Sequence, residues 1–188
     1  WVGLRPLVKP QDENGDNTKS LSREHTVLAS RSGLVTVTGG KWTTYRAMAE
    51  DVLQKCFSAG LLEARKGGAT NHLALVGAGG AGVHHRLCDA PGWHSYGSEA
   101  AAVRLLPGAD AHLGMNLTEA MVRFAVRHEY ARTVEDVLAR RWRALFLDAR
   151  HAGEMGARVA QIVQEETGLD PQLEPFEQLA RQYASLPT

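Results

Sequence analysis

The sequence predicts a mainly α-helical protein, in which a C-terminal helical bundle is preceded by a short α/β segment. Three observations carry this. From about Ser98 onward, apolar residues recur at helical spacing and are punctuated by capping and stop residues. The β-branched runs sit far upstream, around Thr26 to Thr38. A hydrophobic content of 44% in 188 residues is enough for one domain with an ordinary core and part of another.

Taken in order, Trp1-Val2-Gly3-Leu4-Arg5 is strand-like, and Gln11 to Asn17 form a polar turn. A strand pair follows around Thr26 to Thr38, ending in Leu34-Val35-Thr36-Val37-Thr38. A helix is expected from about Lys41, with Trp42, Tyr45, Ala49, Val52, Leu53 and Cys56 at helical spacing. Residues 61–97 read as a Gly/Ala-rich connector, and 98–188 as the helical domain. Ser98 is placed to cap Glu99 to Leu106 before Pro107, and Thr118 a helix through about Arg127. Thr133-Val134-Glu135-Asp136 has the form of a capping box, opening a helix through about Asp148. Ala152, Met155, Val159, Ile162 and Val163 mark the next helix, stopped at Thr167-Gly168 with Pro171 beyond. Phe176, Leu179, Ala180 and Tyr183 mark the last. Each helix has one apolar stripe, so they can pack as a bundle, which should fold alone better than the strands.

The junction Gly39-Gly40-Lys41-Trp42-Thr43-Thr44-Tyr45-Arg46 admits two readings. Glycines let backbone approach a ligand, and the first N–H groups of a helix lie at the positive end of its dipole, so the junction can bind an anion or an electron-rich ring oxygen. The same residues also make a plain tight turn with solvated Lys41 and Arg46. Gly77-Ala78-Gly79-Gly80-Ala81-Gly82 has the letters of a dinucleotide-binding loop after Leu73 to Val76, with Glu99 at about the distance of a ribose-binding acid. Its context fails: Pro91 comes too soon for a crossover helix, and no second β-branched strand follows.

Charge excludes further classes. With 21 basic against 21 acidic side chains, no global field favours nucleic acid or anionic lipid. Arg140-Arg141-Trp142-Arg143 reads as a solvated helix face with snorkelling stems, and Trp93, Tyr130 and Trp142 as core or interface residues. Eight scattered histidines give no metal-ligand spacing, so no metal is expected. Two cysteines, Cys56 and Cys88, make no disulfide framework and fit a reducing cytoplasm. No apolar run approaches membrane-spanning length, so any contact with the inner face of the cell membrane is expected to be peripheral.

Gly3-Leu4-Arg5-Pro6-Leu7, the stretch Asn17 to His25, and Ser32 to Arg46 continuing into Met48-Ala49-Glu50-Asp51 together resemble the flavin-proximal region of FAD-dependent glycerol-3-phosphate dehydrogenase. Glu129 to Arg141 and Phe146-Leu147-Asp148-Ala149 are similar to that family's helical C-terminal domain. The resemblance covers most of the chain and is weakest between about Ala64 and Ser98. It implies that residues 1–60 are the closing edge of a flavin and substrate domain, and 98–188 a helical cap. The opening at Trp1, without an initiator methionine, suggests a cut through a larger protein. The implied reaction oxidises sn-glycerol 3-phosphate to dihydroxyacetone phosphate, with electrons passed through FAD to quinone. The resemblance points to Gly39, Gly40, Lys41, Trp42 and Thr43 as cofactor-binding residues, whose amides would face the ring edge that gains negative charge. Arg5 and Lys41 are the candidate substrate-binding residues, since a guanidinium can grip phosphate bidentately. The chain offers no convincing catalytic base, and the fragment alone is expected to be inactive and to retain no FAD. A homodimer and a peripheral membrane surface are further implied partners. Two readings from other classes are a stand-alone helical interaction module, and a nucleotide-binding protein that mutation of Gly79 would disable.

Overall fold

The computed structural model describes residues 24–65, 67–78, 86 and 88–185. These fall into two compact units divided between Leu73 and Ala74. Helix accounts for about 54% of the structure, and the strands form two small two-stranded sheets, in agreement with the mainly α expectation.

In the first unit, strand β1 (His25–Ala29) pairs antiparallel with β2 (Val35–Gly39), in a register that sets Val27 opposite Val37 and His25 opposite Gly39. Ser30 closes the turn: its amide donates to the Leu34 carbonyl (2.9 Å) and its hydroxyl accepts from the Leu34 amide (3.1 Å). A 3-10 turn (Trp42–Thr44) leads into α1 (Tyr45–Ser58). Cys56 is the one buried hydrophobic among the described residues of this unit, whereas Leu28, Leu34, Val37, Trp42, Tyr45 and Leu53 are exposed. The described hairpin and helix do not enclose a core by themselves, because both sheet faces need a covering layer and one helix supplies at most one.

The second unit holds the core. Its elements are 3-10 turns over Trp93–Glu99, α2 (Ala100–Arg104), β3 (His112–Gly114), β4 (Leu117–Thr118), α3 (Glu119–His128), a π-helical stretch (Asp136–Arg141), α4 (Ala144–Leu147), α5 (Ala149–Thr167) and α6 (Leu173–Ala184). Helix α5 packs against α3, α4 and α6. Met121, Val122, Leu138, Ile162, Val163 and Phe176 lie fully buried between them. Thr118 caps α3 as expected, its hydroxyl accepting the Met121 amide at 3.4 Å. The capping box also forms: the Asp136 amide donates to the Thr133 hydroxyl (3.1 Å) and the Asp136 carboxylate accepts the Thr133 amide (3.1 Å). Gly168, left-handed at φ 68°, stops α5 by donating to the Gln164 carbonyl.

Three expectations need correction. Ser98 does not cap α2: its hydroxyl donates to the Ala78 carbonyl (3.4 Å), and left-handed Gly97 kinks the chain just ahead of the helix, which begins at Ala100. The helix opened by the capping box does not run to Asp148. It widens into the π-helical stretch, where the Trp142 amide reaches back five residues to Val137 (2.9 Å), and breaks at left-handed Arg143. That break lets buried Trp142 donate its indole N–H to the Met115 carbonyl (2.9 Å). Of the two places expected for Tyr130, core or interface, the core is excluded: it is 75% exposed, under the Arg132 guanidinium at 4.1 Å. The β3–β4 hairpin was not foreseen, because its two left-handed turn residues are Met115 and Asn116 rather than an Asn-Gly pair.

An ion-pair brace ties α3 to α5. Arg158 donates to both Glu119 carboxylate oxygens (2.7 and 2.9 Å), Arg123 to Glu166 and Glu165 (2.7 and 2.9 Å), and Arg127 twice to Glu166 (2.7 and 2.8 Å). These donors hold the Glu166 and Glu119 carboxyls below their usual range: hydrogen bonds from Arg127 and Arg158, respectively, outweigh burial. A carboxyl lowered in the folded state stabilises above its unfolded value, near 4.5, and that stability is lost as pH falls through the folded value. Burial raises the Glu129 carboxyl instead, so its contribution runs the other way. The difference between wild type and Glu166→Gln isolates the brace. Denaturant unfolding should show the variant less stable at pH 7, with the gap narrowing as pH falls below 4.5 and through the lowered folded-state value of Glu166.

Candidate functional site

The Gly39 to Thr43 corner is built where β2 ends. Gly39 (φ 80°) and Gly40 (φ 79°) are consecutive left-handed residues, which turn the chain sharply before Lys41 returns to an extended conformation. A side chain at Gly40 would require its neighbours to move: a Cβ there would lie 2.6 Å from the Met48 sulfur and 3.1 Å from the His25 Cβ. The Thr44 amide and hydroxyl both donate to the Lys41 carbonyl (3.0 Å each), and the Tyr45 amide donates to Trp42. The α-helix proper therefore begins four residues later than expected. The amides of Trp42 and Thr43 precede the first helical hydrogen bonds, so the electrostatic character of a helix start is kept.

Lys41, Trp42 and Thr43 are exposed. The Trp42 ring, 85% exposed, stacks on Tyr45 with centroids 5.4 Å apart. This leaves two aromatic faces, a cation and main-chain donors around a corner that carries no side chain at two successive positions. That donor set fits the electron-rich edge of a flat, anionic ring. Arg46 is engaged within the unit, pairing with Glu50 and donating to the Thr70 hydroxyl (3.2 Å). Arg5 lies outside the described residues, as does Gly3-Leu4-Arg5-Pro6-Leu7 as a whole and Gly79 to Gly82 of the glycine-rich stretch. A cavity of about 830 Å³ in the same unit is lined by the opposite side of α1, including Leu53, Gln54 and Phe57, with Leu62 and Arg65. Sequence reasoning missed the supports of the corner, His25 and Met48, because neither belongs to a local pattern that points at Gly40.

Comparison with known proteins bears on this corner. The family model described as the C-terminal domain of alpha-glycerophosphate oxidase matches residues 39–174, well over half of the chain, and its match begins at Gly39. The chain belongs to this family. The alpha-glycerophosphate oxidase C-terminal domain thus includes the glycine corner as well as the bundle as far as α6. Among curated relatives, a mitochondrial glycerol-3-phosphate dehydrogenase of Arabidopsis thaliana is 34% identical over 197 residues, covering 88% of this chain and 31% of the relative. A probable mitochondrial glycerol-3-phosphate dehydrogenase of Dictyostelium discoideum is 39% identical over 170 residues (79% and 26%). The mitochondrial enzyme of Homo sapiens is 33% identical over 193 residues (90% and 26%). The chain spans about a quarter to a third of the length of these relatives. No solved structure matches it significantly.

The expectation of a cytoplasmic protein, with contact at the inner face of the cell membrane, is overturned, because the relatives are mitochondrial by name. Free cysteines distinguish a reducing compartment from an oxidising one, and do not separate the cytosol from a mitochondrial compartment. Among the described residues no helix is long and apolar enough to cross a membrane, and no group of three His, Cys, Asp or Glu side chains is placed to hold a metal.

Proposed function

We propose that this chain is the C-terminal portion of a flavoprotein that oxidises sn-glycerol 3-phosphate to dihydroxyacetone phosphate and passes the electrons to quinone. The observation that carries the reading is the left-handed Gly39-Gly40 corner opening onto exposed Lys41, Trp42 and Thr43, at the start of the segment shared with the family. Bound FAD supplies the two-electron acceptor for the alcohol. The chain's own residues bind and orient. Main-chain donors of Gly40, Lys41, Trp42 and Thr43 would hold the pyrimidine edge of the ring, Gly39 permits the approach, and Lys41 adds positive charge there or to a substrate oxygen. Arg5 is proposed to grip the substrate phosphate. The base that takes the hydroxyl proton is assigned to no residue of this chain, so the 188-residue chain by itself is expected to be inactive. A homodimer and a peripheral membrane surface belong to the same proposal, by analogy with the family.

The test is the visible absorption spectrum of the purified chain after FAD is added and the sample desalted, with intact mass checked alongside. A retained flavin spectrum that Lys41→Glu abolishes supports a half-site at the corner. Retention unaffected by Lys41→Glu places the flavin elsewhere and overturns the assignment. A colourless chain limits flavin binding to the longer protein, where the same substitution should lower flavin content.

A further inference from the structure

His25 sits where three elements meet. It is the register partner of Gly39 at the end of the β1–β2 ladder. Its Cβ forms one wall of the space beside Gly40, 3.1 Å from where a Cβ on Gly40 would stand. Its imidazole Nε2 lies 2.8 Å from a carboxylate oxygen of Asp51 on α1. The other wall of that space is Met48, one helical turn before Asp51 and so on the same face of α1. The His25 side chain is largely covered, 22% exposed, while Asp51 is 61% exposed. A surface ion pair alone contributes little to stability. Here, however, the pair closes a loop of contacts running from β1 through the glycine corner to α1.

We infer that His25 and Asp51 are a positioning pair for the Gly39–Gly40 corner, fastening the start of β1 to α1 so that the corner keeps the single backbone geometry the proposed flavin contact needs. The inference rests on the flavin reading for its purpose, though not for its geometry. Neither side chain is assigned contact with cofactor or substrate; both act through Gly39 and Gly40. Preorganisation is the physical gain, because a glycine pair has more backbone freedom than any other dipeptide and, unfastened, would have to be ordered at the moment of binding.

Amide NMR spectra of the ligand-free 188-residue chain test the geometry directly. His25→Ala and Asp51→Ala should each broaden or shift the resonances of Gly39, Gly40 and Lys41 and leave those of α3, α5 and α6 in place. His25→Gln, whose side-chain amide can donate to Asp51 from a similar reach, should restore the wild-type positions. If His25→Ala unfolds the first unit, Asp51→Asn, which keeps an acceptor oxygen, provides the milder perturbation, and its shifts should centre on the corner. Corner resonances that do not move in either alanine variant, or that His25→Gln fails to restore, overturn the inference. FAD titration of the same proteins separates the two claims. If the wild type binds FAD, the alanine variants should bind about tenfold more weakly and His25→Gln near normally. Failure of the wild type to bind, with the amide shifts as expected, removes the flavin reading for the isolated chain while the positioning pair stands.

Discussion

Gly40→Val is expected to collapse the architecture of the first unit. The substitution has two separate costs. A β-branched residue at φ 79° occupies the left-handed region that L side chains avoid, at about 1–2 kcal/mol. The added carbons also meet the Met48 sulfur at 2.6 Å and the His25 Cβ at 3.1 Å, and overpacking of this kind costs about 1–3 kcal/mol. Met48 is flexible and can yield part of the space; the His25 Cβ, fixed to the β1 backbone, cannot. The unit has few buried contacts in reserve, since Cys56 is its one buried hydrophobic among the described residues. Hydrogen exchange should therefore show the β1–β2 amides losing their protection while α3, α5 and α6 keep theirs. Protection unchanged in β1 and β2 would mean that the corner adopts another conformation than the one described.

The second large effect is in the bundle. Phe176→Ala removes a ring that is 1% exposed at the α5–α6 contact, where it packs onto Gly156. A Cβ on Gly156 would stand 3.5 Å from the Phe176 ring and 3.3 Å from Leu173, so the two helices are already at close approach. They cannot move nearer to fill the hole. Truncation of a buried phenylalanine costs about 3–5 kcal/mol, with the upper part of that range expected where the site cannot relax. Denaturant unfolding followed by far-UV circular dichroism measures it. A loss under about 1 kcal/mol would show that α6 is not held by this ring. The two predictions address different units, so Phe176→Ala should leave the exchange of β1–β2 amides unchanged.

Relative to the corner, the bundle was legible in the sequence for a physical reason. Helical periodicity, the Thr118 and Thr133 caps and the Gly168 stop are set by hydrogen bonds within a few residues of one another, and each of those was found as expected. The hairpin strands and the glycine turn were likewise local, and so was the family resemblance, each of whose motifs is a short run of neighbouring residues. What the sequence by itself determined is thus the helical class, the strand pair, the limits of α3 and α5, the place of the glycine corner and the family. The tertiary structure decided the rest. The break at Arg143 follows from burying Trp142 against the Met115 carbonyl, the loss of the Ser98 cap from the approach of Gly97 to Gly77, and the support of Gly40 from His25, Met48 and Asp51. Each of these is a contact between residues distant in the chain. No local propensity encodes such a contact, because its free energy appears only once both elements have formed and packed.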